Sequence, residues 1–225
     1  MPLEVVLGGF RERYLWLSNP IIWKDPFEKR FIEAKYQYKG KEYDFPLKGR
    51  VFCTCMTQTA TSEAHWNNYS RGQIGISLAF KKMQLLDVLE ENANDYDIYV
   101  GKVNYLRTRE IKNSLKDIGP IKGLTPFSLS NREILIKLLL LKRIAFRYED
   151  EIRILAVKKY KTKEDCIKLN YTIKPSDLID KITIDPNIEH NTETMLKNLF
   201  KNEYGFKRVF KSQIYSLQTD LKIEV

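Results

Sequence analysis

The segment Lys142-Arg-Ile-Ala-Phe-Arg-Tyr-Glu-Asp-Glu-Ile-Arg-Ile-Leu155 constrains this chain more than any other. Running into it, Ile134, Leu138, Leu141 and Ala145 recur at helical spacing and form an apolar stripe expected to be core. Downstream, Ile152 and Ile154 alternate with charged residues, as a strand requires. A chain whose hydrophobic period changes from helical to extended within a few residues cannot be a plain helical bundle. In extended backbone Glu149, Glu151 and Arg153 would share one face, with Tyr148, Ile152 and Ile154 on the other. Two acids and a guanidinium so placed suit the polarisation of a hydroxyl or the holding of a developing cation. They equally suit a solvated strand edge, because such i,i+2 charge patterns are common on half-buried strands.

The remaining pattern favours strands interrupted by helices. Glu4–Leu7 and Tyr14–Leu17 read as short strands, and Ser18-Asn-Pro20 as a turn. Asp25 and Pro26 are placed to cap and open a helix over Phe27–Tyr36. Residues 41–56 read as extended, Ser62–Tyr69 as a short helix carrying His65 and Trp66, and Gln73–Phe80 as a strand. Lys81–Asn92 has a helical stripe, and Tyr96–Tyr105 is strand-like. Pro126–Ala145 reads as the longest helix, with Ser130 as its cap, and polar Arg107–Gly123 as a surface loop. Strands over Ile152–Val157, Cys166–Tyr171 and Lys181–Ile184 follow a turn-rich pattern, with a turn at Pro175–Asp177. A helix over Thr192–Asn202 then precedes closing strands near Phe206, Ile214 and Leu221. The expectation is a single α+β domain over residues 1–225, with a mixed or antiparallel sheet core and interspersed helices.

Composition narrows the partners. The 225 residues are 43% hydrophobic and 12% aromatic, enough for a proper core, and carry a formal charge of +9. Such a charge suits a polyanionic partner, nucleic acid first, or simply a soluble lysine-rich surface. Cys53, Cys55 and Cys166 are too few and too oddly spaced for a disulfide framework or a four-ligand zinc site. With only His65 and His190 available, no histidine-rich metal centre is expected. The most apolar run, Ile134–Leu141, is interrupted by Lys137 and too short to span a bilayer. Glu4, Arg11 and Arg13 break any secretory pattern, so a soluble, cytoplasmic protein with no membrane partner is expected.

Read in order, several segments resemble a widespread prokaryotic family known only as a domain of unknown function, family 2971. The matching text is Leu15-Trp-Leu-Ser-Asn-Pro20, Lys24-Asp-Pro-Phe-Glu28, Phe52-Cys-Thr-Cys55, Trp66-Asn-Asn-Tyr69, Gly75-Ile-Ser-Leu-Ala-Phe80 and Val103-Asn-Tyr105. The most specific block is Lys142-x-x-x-Phe146-x-Tyr148-Glu149-x-Glu151-x-Arg153, and Ile182-Thr-Ile-Asp-Pro186 and Ser212 complete the order. Lys24 stands where that family usually has Asn, and Cys55 where it has Ser. Its opening polar-aromatic motif is missing from Met1–Phe10, which leaves Arg11, Arg13 or Tyr14 for that role.

The layout is more distantly similar to the mono-ADP-ribosyltransferases, and within them to the RNA-modifying toxin of a toxin–antitoxin–chaperone phage-defence system. That resemblance implies an NAD-dependent transferase with a catalytic Glu-x-Glu. Glu151 would sit against the ribose and Glu149 would orient or deprotonate the acceptor. Trp66, Tyr69, Arg153, Thr54 and Tyr14 would line the NAD site, with no metal. RNA would be the acceptor, and antitoxin and chaperone proteins the partners. Trp66 and Tyr69, three apart on a helix, fit stacking on a planar ring or ordinary core packing. Arg71 beside them would reach a pyrophosphate or solvent. Two other readings stay open: a non-catalytic nucleic-acid-binding module, and a metal-dependent nuclease built on Asp25, Glu149 and Glu151.

Overall fold

The computed structural model describes residues 1–33, 35–38, 40–70, 72–111 and 132–216. In chain order these form α1 (Leu3–Glu12), β1 (Tyr14–Ser18), α2 (Pro26–Glu33), β2 (Lys35–Tyr38), β3 (Lys41–Asp44), β4 (Val51–Thr57) and α3 (Glu63–Tyr69). Next come β5 (Ile76–Phe80), α4 (Lys82–Glu91), β6 (Asp97–Lys102), β7 (Asn104–Leu106), α5 (Arg132–Leu139) and β8 (Leu141–Arg143). A 3-10 helix (Ile144–Glu149) leads into β9 (Glu151–Val157) and β10 (Cys166–Asn170). The chain closes with α6 (Pro175–Leu178), β11 (Ile179–Ile184), α7 (His190–Asn198) and β12 (Val209–Lys211). The architecture is α+β with largely antiparallel sheets. Among the described residues no helix is long and apolar enough to cross a membrane.

The chain divides into two compact units. The first comprises Met1–Tyr14, Thr61–Val88 and Asn170–Val225, and the second Leu15–Ala60 and Leu89–Leu169.

The first unit is built on the sheet β12-β11-β5, in which β11 runs parallel to β12 and antiparallel to β5. Here Glu4–Leu7 is helix rather than the expected strand. Val6, Gly9 and Phe10 fall at i, i+3 and i+4, so winding the segment buries all three, which a strand would scatter over two faces. Phe10 then meets Tyr204 and Phe206, each at 5.3 Å between ring centroids. Arg13, left-handed at φ 55°, ends the helix by donating its N–H to the Gly9 carbonyl. Of the closing strands expected near Phe206, Ile214 and Leu221, the described residues show one, at Val209–Lys211. Phe206 precedes it, Ile214 lies in a turn, and Leu221 lies outside the described residues.

The second unit carries the sheet β10-β1-β4-β9-β6, whose β4–β9 and β9–β6 ladders are antiparallel. Phe31 and Ile32 of α2, Phe45, Leu47 and Val51, and Leu135, Ile136, Leu138 and Leu139 of α5 pack in one cluster with Leu155 and Val157. Asp25 caps α2 as its position suggests, accepting the Phe27 N–H at 2.8 Å with Pro26 as the first helical residue. The helix expected to run to Ala145 instead stops at Leu139. Leu141–Arg143 pairs in parallel with Asn104–Leu106, so backbone pairing wins over helical period there. Ala145 is exposed and Leu141 half-buried, and the buried face of α5 is Leu135, Ile136, Leu138 and Leu139. Ser130, Pro126 and most of the Arg107–Gly123 segment lie outside the described residues.

Candidate functional site

The acids of the Lys142–Leu155 segment are not a solvated edge. Glu149 is 5% exposed, Glu151 2% and Arg153 1%. Nor do both acids come from the strand. Glu149 ends the 3-10 helix, Asp150 turns the chain at φ 37°, and only Glu151 and Arg153 stand on β9. The turn still brings the carboxylates together, because both grip one ammonium. Lys142 Nζ donates to Glu149 Oε2 at 2.5 Å and to Glu151 Oε2 at 3.0 Å. Arg153 takes the rest of Glu151, donating from Nε to Oε1 at 3.1 Å and from Nη2 to Oε2 at 3.2 Å. Its Nη2 also donates to Glu28 of α2, and its Nη1 donates to the Leu139 carbonyl at 2.5 Å. Trp23 lies over the guanidinium, 4.7 Å from ring centroid to Cζ.

The cluster therefore holds Glu28, Glu149 and Glu151 against Lys142 and Arg153, all buried, with one carboxylate in surplus. Removing five ionisable groups from water costs several kcal/mol per ion before pairing repays it. The charges settle unevenly. Burial pushes the Glu28 carboxyl up, beyond what Arg153 and Lys142 pull down. Burial also acts upward on Glu151, but Arg153 and Lys142 overcome it and hold that carboxyl below the usual range. Lys142 is held as a cation, well above an ordinary lysine, because Glu151, Glu28 and Glu149 outweigh its burial. Tyr105 accepts the Glu151 N–H at 2.9 Å, and burial raises its phenol to about 12. Of Glu28 and Glu151, Glu28 is thus the nearer to holding a proton and Glu151 the firmer anion.

The other residues singled out by sequence stand on other elements. Thr54 pairs with Ile154, and Cys55 and Thr57 pair with Arg153 and Glu151. Paired residues of an antiparallel ladder share a face, so Thr54 points away from the cluster and Cys55 points with it. Trp66, Tyr69 and Tyr14 belong to the first unit, and Glu149, Glu151 and Arg153 to the second. Trp66 is buried, with Gly75 packed so closely that an added Cβ would lie 3.0 Å from its ring. Tyr69 is exposed and stacks on His65 at 6.2 Å. Tyr14 opens β1, and its hydroxyl would lie 3.2 Å from a Cβ added at Gly8. Arg71 lies outside the described residues.

Asp25 does not join Glu149 and Glu151. Besides capping α2, both of its oxygens accept from Arg143 Nη2 at 3.1 Å. Among the described residues no group of three His, Cys, Asp or Glu side chains is placed to hold a metal ion. Sequence reading missed three members of the cluster's surroundings: Glu28, Lys142 as the shared cation, and Trp23. Their only advance signal was position, Glu28 closing Asp25-Pro-Phe-Glu28 and Lys142 opening the block that ends at Arg153.

Residues 65–154 match the family described as Protein of unknown function (DUF2971). The matched stretch includes Trp66, Tyr69, Lys142, Glu149, Glu151 and Arg153, and leaves out Trp23, Glu28 and Thr54. No curated protein and no solved structure matches the chain.

Proposed function

We propose that this protein is an ADP-ribosyltransferase that moves ADP-ribose from NAD to nucleic acid, RNA above all, as a toxin of phage defence held in check by an antitoxin and chaperone. The observation that carries the reading is the surplus carboxylate: Glu149 and Glu151 converge on one ammonium in a buried, net anionic cluster. Enclosed carboxylates that already stabilise one cation are suited to stabilise another, such as a ribosyl group developing positive charge.

In this scheme the bond between ribose C1′ and the nicotinamide nitrogen breaks. Nicotinamide leaves with the bonding pair, which neutralises its ring. Glu151 stabilises the oxocarbenium-like centre and accepts the ribose 2′-hydroxyl. An oxygen or nitrogen of the acceptor then bonds to C1′, and its proton passes to Glu149. Both Glu151 oxygens already hold cations, so ribose binding requires both Lys142 and Arg153 Nη2 to yield Oε2, while Arg153 Nε keeps Oε1.

The enclosure of Glu151, 2% exposed, favours a second reading: a basic nucleic-acid-binding protein in which the cluster is purely structural. The two part in one experiment. Protein is incubated with adenylate-labelled NAD and RNA, DNA or cell lysate. Label passes to nucleic acid with the native chain and not with folded Glu151→Gln. Folded protein that binds RNA yet labels nothing overturns the transferase.

A further inference from the structure

The opposite end of β9 from the acids is built quite differently. Leaving Val157, the chain must pass the ends of β4 and β1 to reach β10, because the sheet order is β10-β1-β4-β9-β6. It does so in a loop, Lys158–Asp165, tied down at Lys158, Thr162 and Asp165. Lys158 donates its N–H to the Arg50 carbonyl at 2.8 Å, and Arg50 Nε returns a bond to the Lys158 carbonyl at 2.9 Å. Thr162 donates to the Gly49 carbonyl at 2.7 Å, and Asn19 donates to the Asp165 carbonyl at 2.7 Å. Gly49 permits the close crossing. Its φ is +69°, and a Cβ there would lie 3.0 Å from the Thr162 carbonyl. The loop is a fixed ridge along the end of the sheet.

Its composition is that of a polyanion-binding surface. Lys158, Lys159, Lys161 and Lys163 surround Tyr160, which at 82% is the most exposed large apolar or aromatic side chain among the described residues. Beside the ridge lies a cleft of about 550 Å3, walled in part by Asn19, Asp44, Lys48, Gly49, Lys161 and Thr162. Its wall residue Asp44 serves three ammonium groups, meeting Lys48 of the same wall at 3.4 Å, Lys161 at 3.9 Å and Lys35 at 2.7 Å. Glu164 is bound to Lys158. Among the described residues, Lys159 and Lys163 have no ion pair.

We infer that the Lys158–Asp165 ridge and its cleft dock single-stranded nucleic acid, the lysines holding phosphates and Tyr160 stacking on a base. A row of ammonium groups in which Lys159 and Lys163 have no ion pair among the described residues, and Lys161 only a 3.9 Å one, gives sequence-independent, salt-sensitive affinity for phosphates. A solvated aromatic ring between them has no packing role and offers a face to any unpaired base, which a duplex does not present. This rests on the reading above only in naming that enzyme's acceptor. The ridge lies along β9 from Glu151, about 20 Å away at ~3.3 Å per residue, so it anchors the strand at a distance from the acids.

The test is fluorescence anisotropy with a fluorescein-labelled oligouridylate and the full chain, read over a range of salt concentrations. The triple variant Lys159→Gln, Lys161→Gln, Lys163→Gln should lower the slope of log affinity against log salt by about 2, at ~0.7 per lost contact on a single strand. Tyr160→Ala should weaken binding roughly tenfold with the slope unchanged. Lys24→Gln, Lys29→Gln, Lys137→Gln, which removes equal charge elsewhere in the same unit, should change little. Equal losses in the two triple variants overturn the ridge, as does tighter binding of duplex with no effect of Tyr160→Ala. Glu151→Gln should bind as the native chain does. If the ridge binds RNA while no ADP-ribose is transferred, the enzyme reading falls and the docking surface stands.

Discussion

Lys142 is the residue on which the buried charge balances. Removing its ammonium leaves Glu28, Glu149 and Glu151 facing Arg153 alone, an uncompensated state in a place where water cannot screen it. Lys142→Met is expected to lower unfolding stability by about 3–5 kcal/mol in urea. Adding Glu149→Gln should restore part of that loss, as coupled partners do in a double-mutant cycle. Strict additivity of the two changes would show that the pair is not interacting. Glu28 and Glu151 pull the pH dependence in opposite directions. Glu28 has its carboxyl raised above 4.5, so its contribution is present below that pH and fades as pH rises through its folded value. Glu151, held below 4.5, contributes above that pH and loses its contribution as pH falls through its folded value. Stability of Glu28→Gln should therefore decline less than that of the native chain as pH rises above 4.5, while Glu151→Gln should flatten the acid limb. Parallel profiles for all three proteins would contradict this assignment.

At the scale of elements, the ridge after β9 depends on one backbone crossing. Gly49→Ala puts a side chain on a left-handed residue and against the Thr162 carbonyl at once. It should destabilise the fold by roughly 1–2 kcal/mol and weaken RNA binding, because the Thr162–Gly49 bond that fixes the loop is lost. Undiminished stability in urea would mean that the loop simply moves aside. What could be read in advance followed local rules. The Asp25–Pro26 start of α2, the Ser62–Tyr69 helix and the strand at Ile152–Val157 are set by residues within a few positions. Glu4–Leu7 misled because four consecutive residues cannot separate strand from helix, and the deciding partner, Phe10, lies beyond them. Leu141–Arg143 misled because its partner strand lies some forty residues upstream at Asn104–Leu106. The candidate site was half visible for the same reason. Glu149, Glu151 and Arg153 advertise themselves by spacing, whereas Glu28 reaches Arg153 across 125 residues and carries no local mark.

Over the whole molecule, a formal charge of +9 coexists with a buried cluster that is net negative. The second unit separates these along β9, acids at its start and lysines past its end. That polarity suits a protein that holds a polyanion by its outer surface and reserves enclosed carboxylates for a cation. On the proposed transferase reading, salt should weaken acceptor binding while leaving chemistry at the acids, once substrate is bound, largely unscreened. The most direct measurement is the rate of nicotinamide release from NAD in the presence of oligouridylate, for the native chain and for Glu151→Gln at equal folded concentration. The native chain should release nicotinamide at least ~100-fold faster than the variant. Equal rates, or no release by folded native protein with RNA bound, would contradict a catalytic role for Glu151.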